Sequence, residues 1–216
     1  IVVISVILII ILFITSFIQP KEKSSITLAT MDFTENEILA YMMEDMIENE
    51  LGESVEVIPD LGGSSVCMSS IQTGEIDGYV EYTGTIFVNI LNQAAISDVE
   101  QVYEESKIGM KEKYDLEVLP SLNVNNTYTL STTKEIANKY NLKTISDLSK
   151  VSDNLTIVST LSFLNREDGL KAVKDLYGME FKEEIGVDGT PRYTALLNGE
   201  GEIIDAYSTD GLLKKF

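Results

Sequence analysis

Gly62-Gly63-Ser64-Ser65-Val66-Cys67-Met68-Ser69-Ser70-Ile71-Gln72-Thr73-Gly74-Glu75-Ile76-Asp77-Gly78-Tyr79-Val80-Glu81-Tyr82-Thr83-Gly84-Thr85 reads as a glycine turn, a helix, a second turn, a short strand and an aromatic-hydroxyl loop. Gly62 and Gly63 allow a tight backbone path, and Ser64 or Ser65 is placed to cap the helix that follows. Gly74 falls where that helix must stop, because glycine takes the left-handed C-terminal cap without strain. Ile76, Gly78 and Val80 share one face of the strand, which empties into Glu81-Tyr82-Thr83-Gly84-Thr85. A ligand at that strand end would meet a helix N-terminus, a tyrosine face and two hydroxyls, in the crevice where open α/β sheets bind ligands.

The phrase returns late in the chain. Asn198-Gly199-Glu200-Gly201-Glu202-Ile203-Ile204-Asp205-Ala206-Tyr207-Ser208-Thr209-Asp210-Gly211 repeats the order of turn, Ile-containing strand, tyrosine, threonine and glycine. Either tyrosine alone reads as a strand-end core residue; their matched surroundings favour two lobes of similar build, each aiming a tyrosine at one cleft.

Working outward, residues 26–30 form a first strand and Thr34 opens a helix through a capping box with Glu37. Ile38, Leu39, Met42, Met46 and Ile47 recur at helical spacing as its core face, and Gly52 ends it. Val55, Val57 and Pro59 supply a second strand. The β-α-β-α-β order implies parallel pairing with right-handed crossovers. Beyond Thr85, residues 86–91 and 98–114 read as helices and 116–120 as a short strand. Residues 123–130 form a polar turn running into a strand, a crossing between lobes. Short helical pieces over 134–140 and 146–148 precede a strand at 155–158. Phe163-Leu164-Asn165-Arg166-Glu167-Asp168-Gly169 leads into a helix ending at Gly178, with Asp168 as its cap, and 192–197 is a further helix. The expected architecture is α/β and two-lobed, with lobe I over 26–127, lobe II over 128–207, and 208–216 beginning a return into lobe I.

Composition narrows the function. A formal net charge of -19 excludes the basic footprint that nucleic acid requires. With no histidine and a single cysteine, zinc sites and histidine-based triads are excluded. Acid pairs such as Asp77 with Glu81 could do acid-base work, but nothing supplies a nucleophile with its base, so an enzyme is not expected and no cofactor is implied. Cys67 reads as a small core residue. Residues 1–19 are almost wholly Ile, Val, Leu and Phe. The first 18 of them would reach roughly 27 Å as a helix, about the hydrocarbon thickness of a bilayer. Without a cleavage site, a membrane anchor, or the last span of a longer upstream membrane protein, fits that run better than a cleaved signal peptide.

Taken together, Phe33-Thr34-Glu35, Gly62 to Cys67, Gly74-Glu75-Ile76-Asp77, Glu81 to Thr85, Asn125-Asn126-Thr127-Tyr128, Phe163 to Gly169 and Ala206-Tyr207-Ser208-Thr209-Asp210-Gly211 resemble the substrate-binding domain of osmoprotectant-type ABC importers, the glycine betaine/carnitine/choline-binding family. The resemblance implies a type II periplasmic-binding fold whose lobes close on the ligand. It also implies a tyrosine cage for a quaternary ammonium group, which carries over by position onto Tyr82, Tyr128 and Tyr207, with a further cage tyrosine falling beyond Phe216. Thr85 matches the position that varies between threonine and an acidic residue and helps set ligand preference. Asn126 lies in the matched crossing. Met31 departs from the family's polar residue after the first strand, which leaves Thr30 or the amides near Gly63 and Ser64 to hold a ligand carboxylate. Tyr41, Tyr79, Tyr103, Tyr114, Tyr140 and Tyr177 are assigned to packing or surface.

The chemistry suits such residues. A trimethylammonium has no N–H to donate, so aromatic faces rather than hydrogen bonds must grip it, at roughly 0.5 to 2 kcal/mol each. By the same resemblance, the partners are a membrane permease, in some relatives fused to the binding domain, and its ATPase. The domain is expected on the extracytoplasmic side of the cell membrane. Choline, glycine betaine, carnitine and larger betaines such as ergothioneine are the ligand class. A membrane-anchored ligand-sensing receptor domain of the same fold is the alternative reading.

Overall fold

The computed structural model describes residues 26–187 and 189–215. The expected membrane span over 1–19 lies outside the described residues, and among these no helix is long and apolar enough to cross a membrane. Two sheets organise the chain. The first has the order β2-β1-β3, all parallel, with β1 (Ile26–Ala29) central between β2 (Val55–Ile58) and β3 (Gly78–Tyr79). Helix α1 (Thr34–Leu51) joins β1 to β2, and α2 (Ser64–Thr73) joins β2 to β3. Both helices stop as the glycines predict: Gly52 and Gly74 adopt φ of 66° and 75° and donate their amides back to the last turn.

The helix starts differ from expectation. Phe33, not Thr34, is the N-cap of α1 and no side chain caps it, so the Thr34–Glu37 capping box does not form. Gly63 occupies the corresponding place before α2, with Ser64 already inside the helix. The face of α1 is corrected as well. Its buried residues are Asn36, Leu39 and Ala40, whereas Ile38, Met42 and Met46 are 54%, 54% and 64% exposed. Helical spacing identified a stripe, but the stripe that packs on the sheet is centred on Asn36. Asn36 is there for a bonding reason: fully buried, it accepts from the Met31 amide at 2.8 Å and donates to the Val80 carbonyl at 2.9 Å. It thereby clamps the ends of β1 and β3 to the first turn of α1.

After β3, a helical turn (Thr83–Thr85) widens into a π-type turn (Ile86–Ile90), followed by α3 (Val99–Tyr114), capped by Asp98 through the Gln101 amide. Residues 116–120, expected as a strand, join no sheet and run irregularly toward the second sheet.

The second sheet has the order β4-β7-β5-β6. Strand β4 (Tyr128–Ser131) is antiparallel to β7 (Ile203–Tyr207), while β5 (Thr156–Thr160) lies parallel to both β7 and β6 (Glu183–Val187). Helices α4 (Lys134–Tyr140), α5 (Leu161–Asn165), α6 (Leu170–Tyr177) and α7 (Pro191–Asn198) belong to this half, as does the expected short helical turn at Ile145–Leu148. Strand β6 was not expected: Glu183, Glu184 and Gly186 are exposed and only Ile185 and Val187 alternate inward, the pattern of a charged edge strand. The sheet is buried on both faces. Leu155, Ile157, Phe163, Leu170 and Ile203 form one core cluster, and Val158, Tyr193, Leu196, Ile204 and Ala206 the other.

The two passages of chain beside the second sheet are bonded to each other. The Ser208 amide donates to the Thr127 carbonyl at 2.9 Å, and the Thr127 amide donates to the Ser208 hydroxyl at 3.1 Å. That hydroxyl also reaches Asn126 Oδ1 at 3.4 Å.

Candidate functional site

Tyr128 and Tyr207 are register partners, the first residue of β4 opposite the last of β7. Directly opposed cross-strand residues present their side chains on one sheet face, and here the two rings lie 5.3 Å apart, centroid to centroid. Behind Tyr128 sits Phe163 at 4.8 Å. Over Tyr207 sits the guanidinium of Arg192, 4.9 Å from the ring. Arg192 is 1% exposed and bonded to the carbonyls of Asp205 and Gly189 and to the Asp210 carboxylate. Asp205, 0% exposed, in turn accepts from Ser159 Oγ and from the amide and hydroxyl of Thr160.

The first half contributes its rings from loops. Phe33, the residue before α1, stacks on Tyr207 at 4.8 Å and stands 6.1 Å from Tyr82. Tyr82, just beyond β3, donates its hydroxyl to Glu35 Oε1 at 2.5 Å, and Asn126 Nδ2 donates to the same oxygen at 3.1 Å. Tyr82, Phe33, Tyr207 and Tyr128 thus form a continuous series of ring contacts drawn from both halves of the chain. Burial pushes the phenols of Tyr82, Tyr128 and Tyr207 above their ordinary value, so all three remain protonated donors.

A cation from the second half overhangs this series. Arg166, the residue after α5, places its guanidinium 5.1 Å from the Tyr128 ring centre and donates to Thr85 Oγ1 at 3.3 Å. Asp168 holds it through two bonds, at 2.6 and 2.9 Å. Asp168 therefore orients Arg166 and does not cap α6, whose N-cap is Gly169. The turn that delivers Arg166 is tight: a Cβ on Gly169 would come within 2.1 Å of the Phe163 carbonyl oxygen.

Of the remaining expected site residues, Gly63 faces the second half, with Ser162 Oγ 3.6 Å from where its Cβ would be. The Ser64 hydroxyl donates to the Met31 sulfur at 3.4 Å. Thr30 is withdrawn from the rings: it is 0% exposed, and its hydroxyl accepts the Asp60 amide. Glu81 lies beneath Tyr82. Its Oε1 accepts the Tyr82 amide, while Oε2 is enclosed without a hydrogen-bond partner. Burial pushes this carboxyl up to about 7 against the opposing pull of the Tyr82 amide, Ser64 and Arg166. Cys67 is fully buried, its thiol pushed up to about 12 by burial, which makes it an inert core residue as expected. Sequence reasoning missed Phe33, Glu35 and Arg166 as members of the site, although each lies inside a quoted motif.

Chemically, four aromatic faces with an adjacent guanidinium suit a small ligand that carries a methylated cation at one end and an anionic or polar group at the other. No group of side chains able to hold a metal ion occurs among the described residues. A separate concavity of about 510 Å³, between Leu91 and Gln93 on one side and Glu105 to Lys113 on the other, shares no residue with the rings.

Comparison with known proteins gives one family match, to the substrate-binding domain of ABC-type glycine betaine transport systems, over residues 24–216. A carnitine transport binding protein of Listeria monocytogenes is 33% identical over 198 residues, covering 91% of this chain and 64% of that protein. An ergothioneine transport permease/ergothioneine binding protein of Helicobacter pylori is 28% identical over 90% of this chain and 35% of its own length. The chain thus spans under two thirds of these relatives. A crystal structure of a glycine betaine/carnitine/choline ABC transporter superposes with a TM-score of 0.64 at 29% identity, over 89% of this chain and 72% of that one. An ancestral amino-acid-binding protein, at TM-score 0.52 and 14% identity, shares the fold.

Proposed function

The chain belongs to the family of substrate-binding domains of ABC-type glycine betaine transport systems, and from that premise we propose that it captures quaternary-ammonium compounds between two closing lobes and presents them to a membrane permease. The family is one of extracytoplasmic transport binding proteins, not of enzymes. The lobes are residues 26–127 and 128–207; in the segment that follows, where the return toward the first lobe was expected to begin, Leu212 and Leu213 pack on the core of the second. The cage is Tyr82, Tyr128 and Tyr207, to which the ring contacts add Phe33. Arg166 and Thr85 take the ligand's carboxylate or polar end, helped by the backbone near Gly63 and Ser64, and Asn126 braces the crossing.

One observation carries this reading: rings from the loop ends of the first sheet and from paired strands of the second lie 4.8 to 6.1 Å apart in one series. Centroids at those distances leave no room for a trimethylammonium between neighbouring rings. Capture therefore requires the halves to part, bending at 126–130 and 207–210, and to close again with the cation replacing a ring-ring contact. Three or four such contacts supply on the order of 2 to 8 kcal/mol, toward the ~8 kcal/mol of a micromolar complex. The apolar run over 1–19 serves as the anchor that keeps the domain at the membrane, and a permease with its ATPase completes the importer.

Calorimetry on the full chain in detergent, with choline, glycine betaine, carnitine, proline betaine and ergothioneine, tests the proposal. At least one is expected to bind with a micromolar constant, and uncharged sugars not at all. Binding of none of the five overturns it.

A further inference from the structure

Glu35 is a carboxylate bonded to a phenol of the ring series. Its Oε1 accepts from Tyr82 at 2.5 Å and from Asn126 at 3.1 Å, partners 47 and 91 positions away in sequence. One oxygen thus ties the first turn of α1 to the loop after β3 and to the crossing that leads into β4. Pinning could be done by any acceptor, and Asn36, one residue on, already clamps this turn with an uncharged amide. What Glu35 brings that an amide would not is charge.

The charge acts through Tyr82. A phenol that stays protonated while donating to an ionised acceptor makes a charge-assisted bond, stronger and shorter than a neutral one. Polarising the O–H toward the carboxylate enriches the ring face in electron density, and the ring's negative face is what attracts a cation. The carboxylate's own field adds to this in a half-buried place where water screens it poorly. Neither effect is felt by an uncharged ligand of the same shape.

We propose that Glu35 is a charge-setting positioning residue. Acting through the Tyr82 phenol, its carboxylate makes the ring series prefer a trimethylammonium over a neutral tert-butyl group of equal size. The proposal rests on the quaternary-ammonium reading above, and it assigns Glu35 a part in selectivity rather than in folding.

The test compares each cation with its carbon isostere on the full chain: glycine betaine with tert-butylacetate, and choline with tert-butylethanol, the weaker member of each pair measured by displacement. Glu35→Gln keeps an acceptor for Tyr82 and Asn126 but removes the charge. It is expected to narrow the cation-to-isostere ratio about fivefold, by weakening the cation alone. Tyr82→Phe keeps the ring, cuts the link, and should narrow the ratio to a similar degree. The double variant should add nothing further, as coupled residues do. Equal weakening of cation and isostere, or an unchanged ratio, overturns the proposal, because a purely structural Glu35 predicts just that. Should Glu35→Gln fail to fold, Tyr82→Phe decides alone by the same ratio. A wild-type chain that binds no trimethylammonium compound defeats the proposed function itself, an outcome distinct from binding with an unchanged ratio in the variants.

Discussion

The two halves of the molecule present their rings by different means. Tyr128 and Tyr207 stand on adjacent strands, opposite each other in a backbone ladder, with Phe163 and Arg192 packed against them. Phe33 and Tyr82 stand on loops beyond β1 and β3 and are held by side-chain bonds, chiefly Asn36 to Val80 and Tyr82 to Glu35. Strand-borne rings are placed by the same bonds that make the sheet, so their geometry is set once folding is done. Loop-borne rings must be ordered by contacts that can be lost without unfolding anything. The second half therefore offers a fixed wall and the first an adjustable one, the division that the proposed capture and release would ask for.

That contrast can be broken most forcefully at Asp205. Asp205→Ala leaves the Thr160 amide and the Thr160 and Ser159 hydroxyls without their buried acceptor, removes the carboxylate 3.7 Å from Arg192, and should cost about 3 to 5 kcal/mol of stability, read by urea denaturation. A cost under about 1 kcal/mol would mean that the wall is not held by this network. Next come the rings themselves. Tyr128→Ala and Tyr207→Ala should each weaken ligand binding by about tenfold or more, and Tyr82→Ala by about fivefold, since the pre-placed rings pay less ordering entropy on binding. Tyr140 packs against a core cluster but takes no part in the ring series, so Tyr140→Ala should lower the melting temperature and leave affinity unchanged. Equal losses at 82, 128, 140 and 207 in calorimetry would sink both the cage and the contrast. The smallest effect is at Glu81. The folded protein holds this proton up to about 7 against an ordinary 4.5, so the native state binds more protons than the unfolded chain between those values. Stability must then fall as pH rises through that window and level off above it. Glu81→Gln should flatten that part of a melting-temperature profile.

Much of the first sheet was legible in the sequence because its punctuation is local. Glycines at 52 and 74 stop its helices by their own conformational freedom, each with a positive φ, as Gly178 does in the second half. Tyr82 and Tyr207 were legible through the echo of one motif in another, and Tyr128 through the family resemblance. What escaped depends on contacts that no local pattern carries. The face of α1 is decided by one buried amide, Asn36, which interrupts the apolar stripe that periodicity selects. Strand β6 is an edge whose charges mask its alternation. Arg166 reads as a helix-start residue within its own segment and becomes part of the site only because Thr85, 81 positions earlier, lies opposite it. Phe33 and Glu35 likewise acquire their roles from Tyr207, Tyr82 and Asn126.

The chain running into β4 and the chain leaving β7 lie side by side, with Thr127 and Ser208 exchanging bonds through amide, carbonyl and hydroxyl. Two ribbons stitched edge to edge bend readily across their common plane and resist being wrung about their length. If the halves part as the proposed function requires, opening would follow a single arc, like a book on its spine, and on every return Phe33 and Tyr82 would face Tyr207 and Tyr128 at the same angle.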